Sequence, residues 1–334
     1  MRAAVFEEPG PAAVLQIVER ETPSVGAGEV RVRIVLSAVN PTDTGSRAGR
    51  GVPDGVAPPR VPNQDGAGVV DAVGPGVEGL SVGHRVWLWE AAWQRTDGTA
   101  QEFVTVPARQ AVPLPEKAPF ELGAGLGIPA LTAHRCLTVA EGGPSRLAPG
   151  ALAGRTVLVA GGAGAVGNAT IQLAKWAGAT VITTVSSPEK ATLATAAGAD
   201  HVVNYRTENA AEVIRDHAPA GVDLIVEVSP ATNAALDVAV AGPLATIAVY
   251  STDGGDAATL PVFPLMYANI RYQFVLVYTI QPSTKDSAVA DVSAALHAGA
   301  LHAGRDAGLL DRTADAHTAV QSGAIGKVLI DVSA

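Results

Sequence analysis

Apolar and polar positions follow two different rhythms along this chain. Up to about residue 120 the apolar stretches are short. Val30-Arg31-Val32-Arg33-Ile34-Val35-Leu36 alternates apolar with basic and then turns fully apolar, the pattern of a strand running from a sheet edge into a core. Gly66 to Val73 and Arg85 to Trp89 predict further strands, separated by turn signals at Gly74-Pro75-Gly76 and Glu78-Gly79. Val52 to Pro62 carries four prolines, which excludes helix and central strand and predicts a surface loop over a cleft.

From about residue 126, β-branched apolar runs alternate with Ala-rich helical stretches. Thr156 to Ala160 predicts a buried strand and Val166 to Ala177 a helix, with Gly178 in the place of a C-terminal helix glycine. Thr180 to Val185 is the next strand. Ser187-Pro188 then supplies a cap and a first-turn proline for a helix ending at Gly198. Short β runs recur at His201 to Val203, Leu224 to Val228, Ala245 to Tyr250, Phe274 to Thr279 and, at the end of the chain, Lys327 to Val332. Strand–helix alternation at this spacing predicts an α/β domain with a doubly wound parallel sheet.

Composition narrows the class. A length of 334 residues predicts two domains, and 48% hydrophobic against 16% charged residues excludes a disordered chain. The single Cys136 excludes an intramolecular disulfide or a cysteine-based zinc cluster and suits a reducing compartment. A formal charge of −9 argues against broad binding to nucleic acid or an anionic membrane, while leaving room for a basic pocket for one phosphate. Acids follow Arg2 before any apolar run develops, so no signal peptide is predicted, and no stretch of 18 apolar residues occurs. The expectation is a soluble, cytoplasmic protein.

Gly162-Ala163-Gly164-Ala165-Val166-Gly167 matches G-x-G-x-x-G. It carries weight here because a predicted strand precedes it and a predicted helix follows. Gly162 is expected to permit the tight turn, Gly164 to let a pyrophosphate approach the backbone, and Gly167 to let helix and strand pack closely. The end of the second strand then chooses the dinucleotide. NAD binders place Asp or Glu there for the ribose 2′-hydroxyl, but this chain has Ser186 and Ser187, with Lys190 one turn on. Hydroxyls and an ammonium suit the 2′-phosphate of NADPH. Hydrogen bonds to a charged group contribute about 1.5–3 kcal/mol each, enough for two to decide the preference.

Four further stretches carry a resemblance: Asn40-Pro41-Thr42-Asp43, Gly127-Ile128-Pro129-Ala130-Leu131-Thr132-Ala133, Gly198-Ala199-Asp200-His201-Val202-Val203-Asn204-Tyr205 and Ser322-Gly323-Ala324-Ile325-Gly326-Lys327. With these the chain resembles, over essentially its whole length, the zinc-independent medium-chain dehydrogenases/reductases of the quinone oxidoreductase (zeta-crystallin-like) group. The resemblance implies a GroES-like β-rich substrate domain from residues 1–125 and 282–334 and an inserted Rossmann domain over 126–281. Cofactor and substrate would meet in the interdomain cleft. It implies that Ser186, Lys190 and Tyr205 surround the adenosine 2′-phosphate. Asn233, Val249, Tyr250, Ser251, Val275, Leu276 and Val277 would border the rest of NADPH, with Thr132 at the nicotinamide end and Lys327 also among the cofactor residues. The strand Phe274 to Thr279 would pair with its twin across a homodimer. Zinc-dependent relatives carry Cys near position 40 and Gly-His-Glu near 64. This chain has Asn40 and Asn63-Gln64-Asp65, and its seven histidines show no paired ligand spacing, so no metal is expected.

Without a metal the chemistry rests on cofactor hydride and on placement. The expected partner is a small electrophile, a quinone or an α,β-unsaturated carbonyl. Asn40 and Gln64 are the polar candidates for polarising it, although either could instead serve loop backbone. The group's substrate-facing tyrosines are replaced by glycines in Thr44-Gly45-Ser46-Arg47-Ala48-Gly49-Arg50-Gly51, which removes the familiar phenol as proton donor. Trp93, close to Trp87 and Trp89, and Tyr278 are candidate substrate walls. Arg47, Arg50 and Arg60 fall on the expected cleft-side loops, and His134 follows Thr132 on its helix. Two other readings are a 2-enoyl thioester reductase of lipid or polyketide metabolism and a non-catalytic NADPH-binding protein.

Overall fold

The computed structural model describes residues 1–50, 58–302 and 307–333. The chain forms two units, one from Met1–Ile128 with Ala303–Ala334 and one from Pro129–His302. The expected return to the first domain at residue 282 is therefore corrected to residue 303. The helix that begins at Pro282 belongs with the parallel sheet.

The first unit begins with β1 (Arg2–Val5), β2 (Gln16–Glu19) and β3 (Glu29–Val39), followed by α1 (Pro41–Arg47). Then come β4 (Asp65–Val73), β5 (Arg85–Leu88), β6 (Phe103–Pro107), β7 (Ala111–Pro113) and the start of α2 (Phe120–Leu137), whose residues from Pro129 on belong to the second unit. Burial along β3 follows its sequence. Val30, Val32 and Ile34 point inward while Arg33 is exposed, and from Leu36 to Val39 every side chain is buried. The predicted loop from Val52 to Pro62 lies largely outside the described residues. Of its end, Arg60 bridges Phe6 and Val61 bridges Asp97. α2 breaks at Gly127 (φ −6°, ψ −114°), where a Cβ would stand 2.1 Å from Asp65 Oδ1.

The second unit contains β8 (Thr156–Ala160), α3 (Ala165–Trp176), β9 (Thr180–Val185), α4 (Pro188–Ala196), β10 (His201–Asn204) and α5 (Ala210–His217). It continues with β11 (Val222–Glu227), α6 (Pro230–Val240), β12 (Ala241–Val249), α7 (Val262–Tyr267), β13 (Arg271–Phe274) and α8 (Pro282–His297). Its strands lie in the order β10-β9-β8-β11-β12-β13 and every pair is parallel. The order reverses between β8 and β11, which creates a crevice at the strand C-termini. Leu158, Ile182, Val203, Ile225 and Ile247 form a core on this sheet. The local punctuation acts as read: Ser187 Oγ caps α4 by accepting from Lys190 N, and Gly178 and Gly198 take positive φ just past α3 and α4.

One predicted strand is corrected. Of Phe274 to Thr279, only Phe274 belongs to β13, and Val277–Thr279 form a 3-10 turn. β12 ends at Val249, so after Val275 N donates to Val249 O the next residues have no strand to pair with. Thr279 N turns back onto Leu276 O, and Lys285 Nζ donates to Tyr278 O at 2.8 Å.

The chain then returns to the first unit with β14 (Ala307–Leu309), α9 (Thr313–Gln321) and β15 (Val328–Asp331). These complete a sheet ordered β14-β15-β3-β4-β5-β7, with β6 also paired to β3. Val30, Val32, Ile34, Val86, Val104 and Ile330 lie in its core. Among the described residues no helix is long and apolar enough to cross a membrane.

Candidate functional site

In the second unit the glycine motif sits at the point where the strand order reverses, directly after β8. Gly161, rather than Gly162, makes the left-handed turn (φ +71°). Gly162 is required for a different reason, since a Cβ there would lie 2.2 Å from Thr183 Oγ1. Gly167 packs as expected, with its Cβ position 2.3 Å from Gly161 O. Gly164 is the exposed N-cap of α3, no side chain caps that end, and its Cβ position meets nothing nearer than 3.4 Å. Gly164 is thus glycine with no neighbour demanding it, the condition for a backbone left clear for a ligand. The open N–H groups and positive dipole end of a 12-residue helix suit a pyrophosphate. Ala163 is buried in the turn, whereas Ala165 and Val166 are half-buried in the first turn of α3.

At the end of β9, Lys190 Nζ donates to Ser186 Oγ at 2.9 Å, and Ser187 Oγ is engaged by the Lys190 backbone. Tyr205 N donates to Val185 O at 3.2 Å, which holds the exposed Tyr205 beside the same strand end. The three residues assigned to the adenosine end therefore stand together. Further along the crevice, Val275 N donates to Val249 O and Tyr250 N to Glu227 O. Val249, Val275 and Val277 are buried, Tyr250 and Ser251 half-buried, and Leu276 is exposed. Asn233 Nδ2 donates to Glu227 Oε1 at 3.0 Å. Thr132 is buried on α2. The sequence reading missed two buried carboxylates behind this edge, Glu227 and Asp237. Burial raises both, and the neighbouring Glu227 pushes Asp237 further up. The one available signal was an acid closing the apolar run Val222–Glu227.

In the first unit, Asn40, Asp65 and Lys327 form a buried knot. Asn40 Nδ2 donates to Asp65 Oδ2 at 2.8 Å, while Lys327 Nζ donates to Asn40 Oδ1 at 2.5 Å and to Asp65 Oδ2 at 3.0 Å. The other carboxylate oxygen, Asp65 Oδ1, accepts Ile128 N at 2.8 Å. Both ends of the Asn40 amide are thus engaged within the protein, and Lys327 serves this knot in the first unit. Asn40 also opens α1, where its N–H donates to Asp43 Oδ2 at 2.7 Å. Burial and the nearby Asp65 push Asp43 up to about 7.

Gln64 differs from Asn40. Its Oε1 accepts Ala92 N at 3.1 Å, but its Nε2 donates to no described residue, and the side chain lines a small, partly open cavity of about 30 Å3. Trp93 is half-buried in the turn after β5, and its neighbours Ala92 and Arg95 line the cavity in its place. Tyr278 is corrected from an edge-strand wall to a buried residue of the 3-10 turn. Arg47 is corrected from a loop to helix α1, where it is buried. His134 packs in its helix, with Nε2 2.8 Å from Asp291 Oδ2.

Two family models match, one described as an alcohol dehydrogenase GroES-like domain over residues 26–116 and one as a zinc-binding dehydrogenase over residues 165–294. The described residues do not fit zinc. No three His, Cys, Asp or Glu side chains among them could hold a metal, burial pushes the Cys136 thiol up to about 12, and both Asp65 oxygens have partners. A quinone oxidoreductase of Rattus norvegicus is 34% identical over 240 residues, covering 71% of this chain and 69% of its own. A mycobacterial protein solved with NADPH is 28% identical with a TM-score of 0.83, covering 99% of both chains. A solved 2-haloacrylate reductase is 28% identical with a TM-score of 0.80, covering 100% of both. With the doubly wound sheet, the glycine turn and these likenesses together, the chain belongs to the quinone oxidoreductase group of the medium-chain dehydrogenase/reductase family and is an oxidoreductase.

Proposed function

We propose that the chain is an NADPH-dependent reductase that passes a hydride to a quinone or to the β-carbon of an α,β-unsaturated carbonyl, with no metal in the reaction. One observation carries the cofactor reading. The carboxylate that would favour a free ribose hydroxyl is replaced at the end of β9 by Ser186, with Lys190 Nζ on its hydroxyl at 2.9 Å. The likeness to a protein solved with NADPH supports it. Bound NADPH supplies two electrons as hydride, and the acceptor takes one proton from solvent to give the hydroquinone or the saturated carbonyl.

The chain's own residues bind, orient and polarise. The N–H groups opening α3 and the glycine turn would hold the pyrophosphate, and Ser186, Lys190 and Tyr205 the adenosine phosphate. Val249 to Ser251 and Val275 to Val277 would flank the remainder. Gln64, whose Nε2 has no partner among the described residues, would donate to the acceptor oxygen as negative charge develops there. Asn40, Asp65 and Lys327 would brace the start of α1 beneath it. The likeness to a 2-haloacrylate reductase supports activated alkenes as acceptors.

The protein would act in the cytoplasm as a homodimer joined through the free edge of β13. Phe274 is 70% exposed there, and Phe263, Met266 and Tyr267 of α7 add more exposed apolar surface, which pairing would cover. Deuteride transfer tests the chemistry. With NADPH deuterated at C4, the reduced enone should carry deuterium at its β-carbon. A product labelled only from solvent would overturn hydride transfer.

A further inference from the structure

We propose that the cavity beside Gln64 is an oxyanion subsite, formed by Arg47, Arg60 and Arg95, that selects acceptors bearing a carboxylate. It rests on the reductase reading above and names the substrate class for that site.

Four guanidinium nitrogens of Arg47 and Arg60 have no acceptor among the described residues. Arg47 is fully buried on α1; its Nη2 donates to Gln321 Oε1 at 3.1 Å, but Nε and Nη1 have no hydrogen-bond partner among the described residues. Arg60 is 9% exposed, and its Nε and Nη1 are likewise without a partner. Its guanidinium lies 4.9 Å from the centre of the Phe6 ring. Neither arginine has a carboxylate within 4.0 Å among the described residues. Both line the cavity, as does Arg95, which donates to Thr105 O and has Glu29 at 3.9 Å.

Guanidinium stays protonated at any ordinary pH, so burial cannot remove the charge by shedding a proton. A buried charge with open donors is costly unless an opposite charge meets it. Arg95 has Glu29 and Asp97 near it, but for Arg47 and Arg60 the described residues supply little of that charge. Asp43 also lines the cavity, but it already accepts Asn40 N and burial raises it to about 7, so it is partly neutral near neutrality. His317, whose Nε2 lies 3.0 Å from Asn63 Oδ1, is pushed down to about 3 by burial and by Arg47 and stays neutral. In a chain of net charge −9, three arginines facing one small space form a local exception. The planar guanidinium fork matches a carboxylate with two parallel hydrogen bonds. Gln64 lines the same cavity, so an acceptor whose carboxylate meets the arginines would bring its conjugated carbonyl toward an amide whose Nε2 has no partner among the described residues.

The test compares 4-oxopent-2-enoate with its methyl ester on the NADPH-loaded full chain, two acceptors that share an enone and differ by one charge. The acid should show a KM about tenfold below that of the ester, with kcat similar. In Arg60→Met this KM ratio should fall toward one, and in Arg60→Lys it should lie between. Equal KM values in the unmodified protein, with both acceptors reduced, would overturn the subsite and leave the reductase reading standing. If neither acceptor is reduced, the enone branch of the reductase reading fails and calorimetry still decides the subsite. The unreactive 4-oxopentanoate should bind the unmodified protein and bind Arg60→Met at least about tenfold more weakly. Absence of binding, or stronger binding of inorganic phosphate, would overturn the carboxylate assignment.

Discussion

Lys327 Nζ lies 3.0 Å from Asp65 Oδ2, both side chains are buried, and Asn40 bridges them. Residues 262 positions apart thereby tie β15's approach to the start of β4 and α1. Removing one partner of a buried pair leaves the other charge unmet, at a cost of about 3–5 kcal/mol. Lys327→Met should lower unfolding stability by that order in urea titrations, and adding Asp65→Asn should recover part of the loss. A loss below about 1 kcal/mol would mean that the pair does not hold this unit together.

Asp43 gives stability a pH dependence of unusual sign. Its folded pKa is raised from 3.8 to about 7, so between those values the folded protein keeps a proton that the unfolded chain releases. Stability from this group falls as pH rises through that window and is flat above about 7, with a total of up to about 4 kcal/mol. Asp43→Asn removes the titration while keeping an oxygen for Asn40 N. The variant's stability relative to the parent should therefore climb from pH 4.5 to pH 8. A difference that stays constant with pH would show that Asp43 ionises normally.

In the proposed function the Lys190–Ser186 pair would set cofactor preference. Lys190→Ala should weaken NADPH binding about ten- to a hundredfold in fluorescence titrations, as expected for loss of one or two charged hydrogen bonds. NADH binding should change no more than a few-fold. Equal loss for both cofactors would place Lys190 away from the 2′-phosphate.

Much of the second unit was legible because local signals and tertiary demands agree there. The apolar run Thr156–Ala160, the close packing at Gly167, the Ser187 cap and the terminal glycines 178 and 198 each act as read, while the tight turn falls to Gly161 instead of Gly162. Phe274–Thr279 was misread because an apolar β-branched run looks like a strand whether or not a neighbour exists to pair with it, and β12 ends at Val249. The clustering of Ser186, Lys190 and Tyr205 at one strand end was legible from position along that strand. The first-unit site was less so, since the engagement of Asn40 depends on Lys327 and that of Arg47 on Gln321, contacts spanning 287 and 274 positions. Periodicity contains no information about them. Nor could it tell that Gln64 Nε2 has no partner among the described residues while the Asn40 amide is engaged at both ends.

The exposed β13 edge makes a prediction about assembly. The parent protein should sediment as a dimer, and Phe274→Asp, which puts a charge on that edge, should shift it toward monomer. A dimer indifferent to this change would move the interface elsewhere.

NADPH-dependent reduction is tested most directly by anaerobic NADPH oxidation with a naphthoquinone and with a simple enone, each repeated with NADH. Saturable turnover on at least one acceptor, faster at limiting NADPH than at limiting NADH, is the expected result. Tight NADPH binding with no turnover on either acceptor would contradict it.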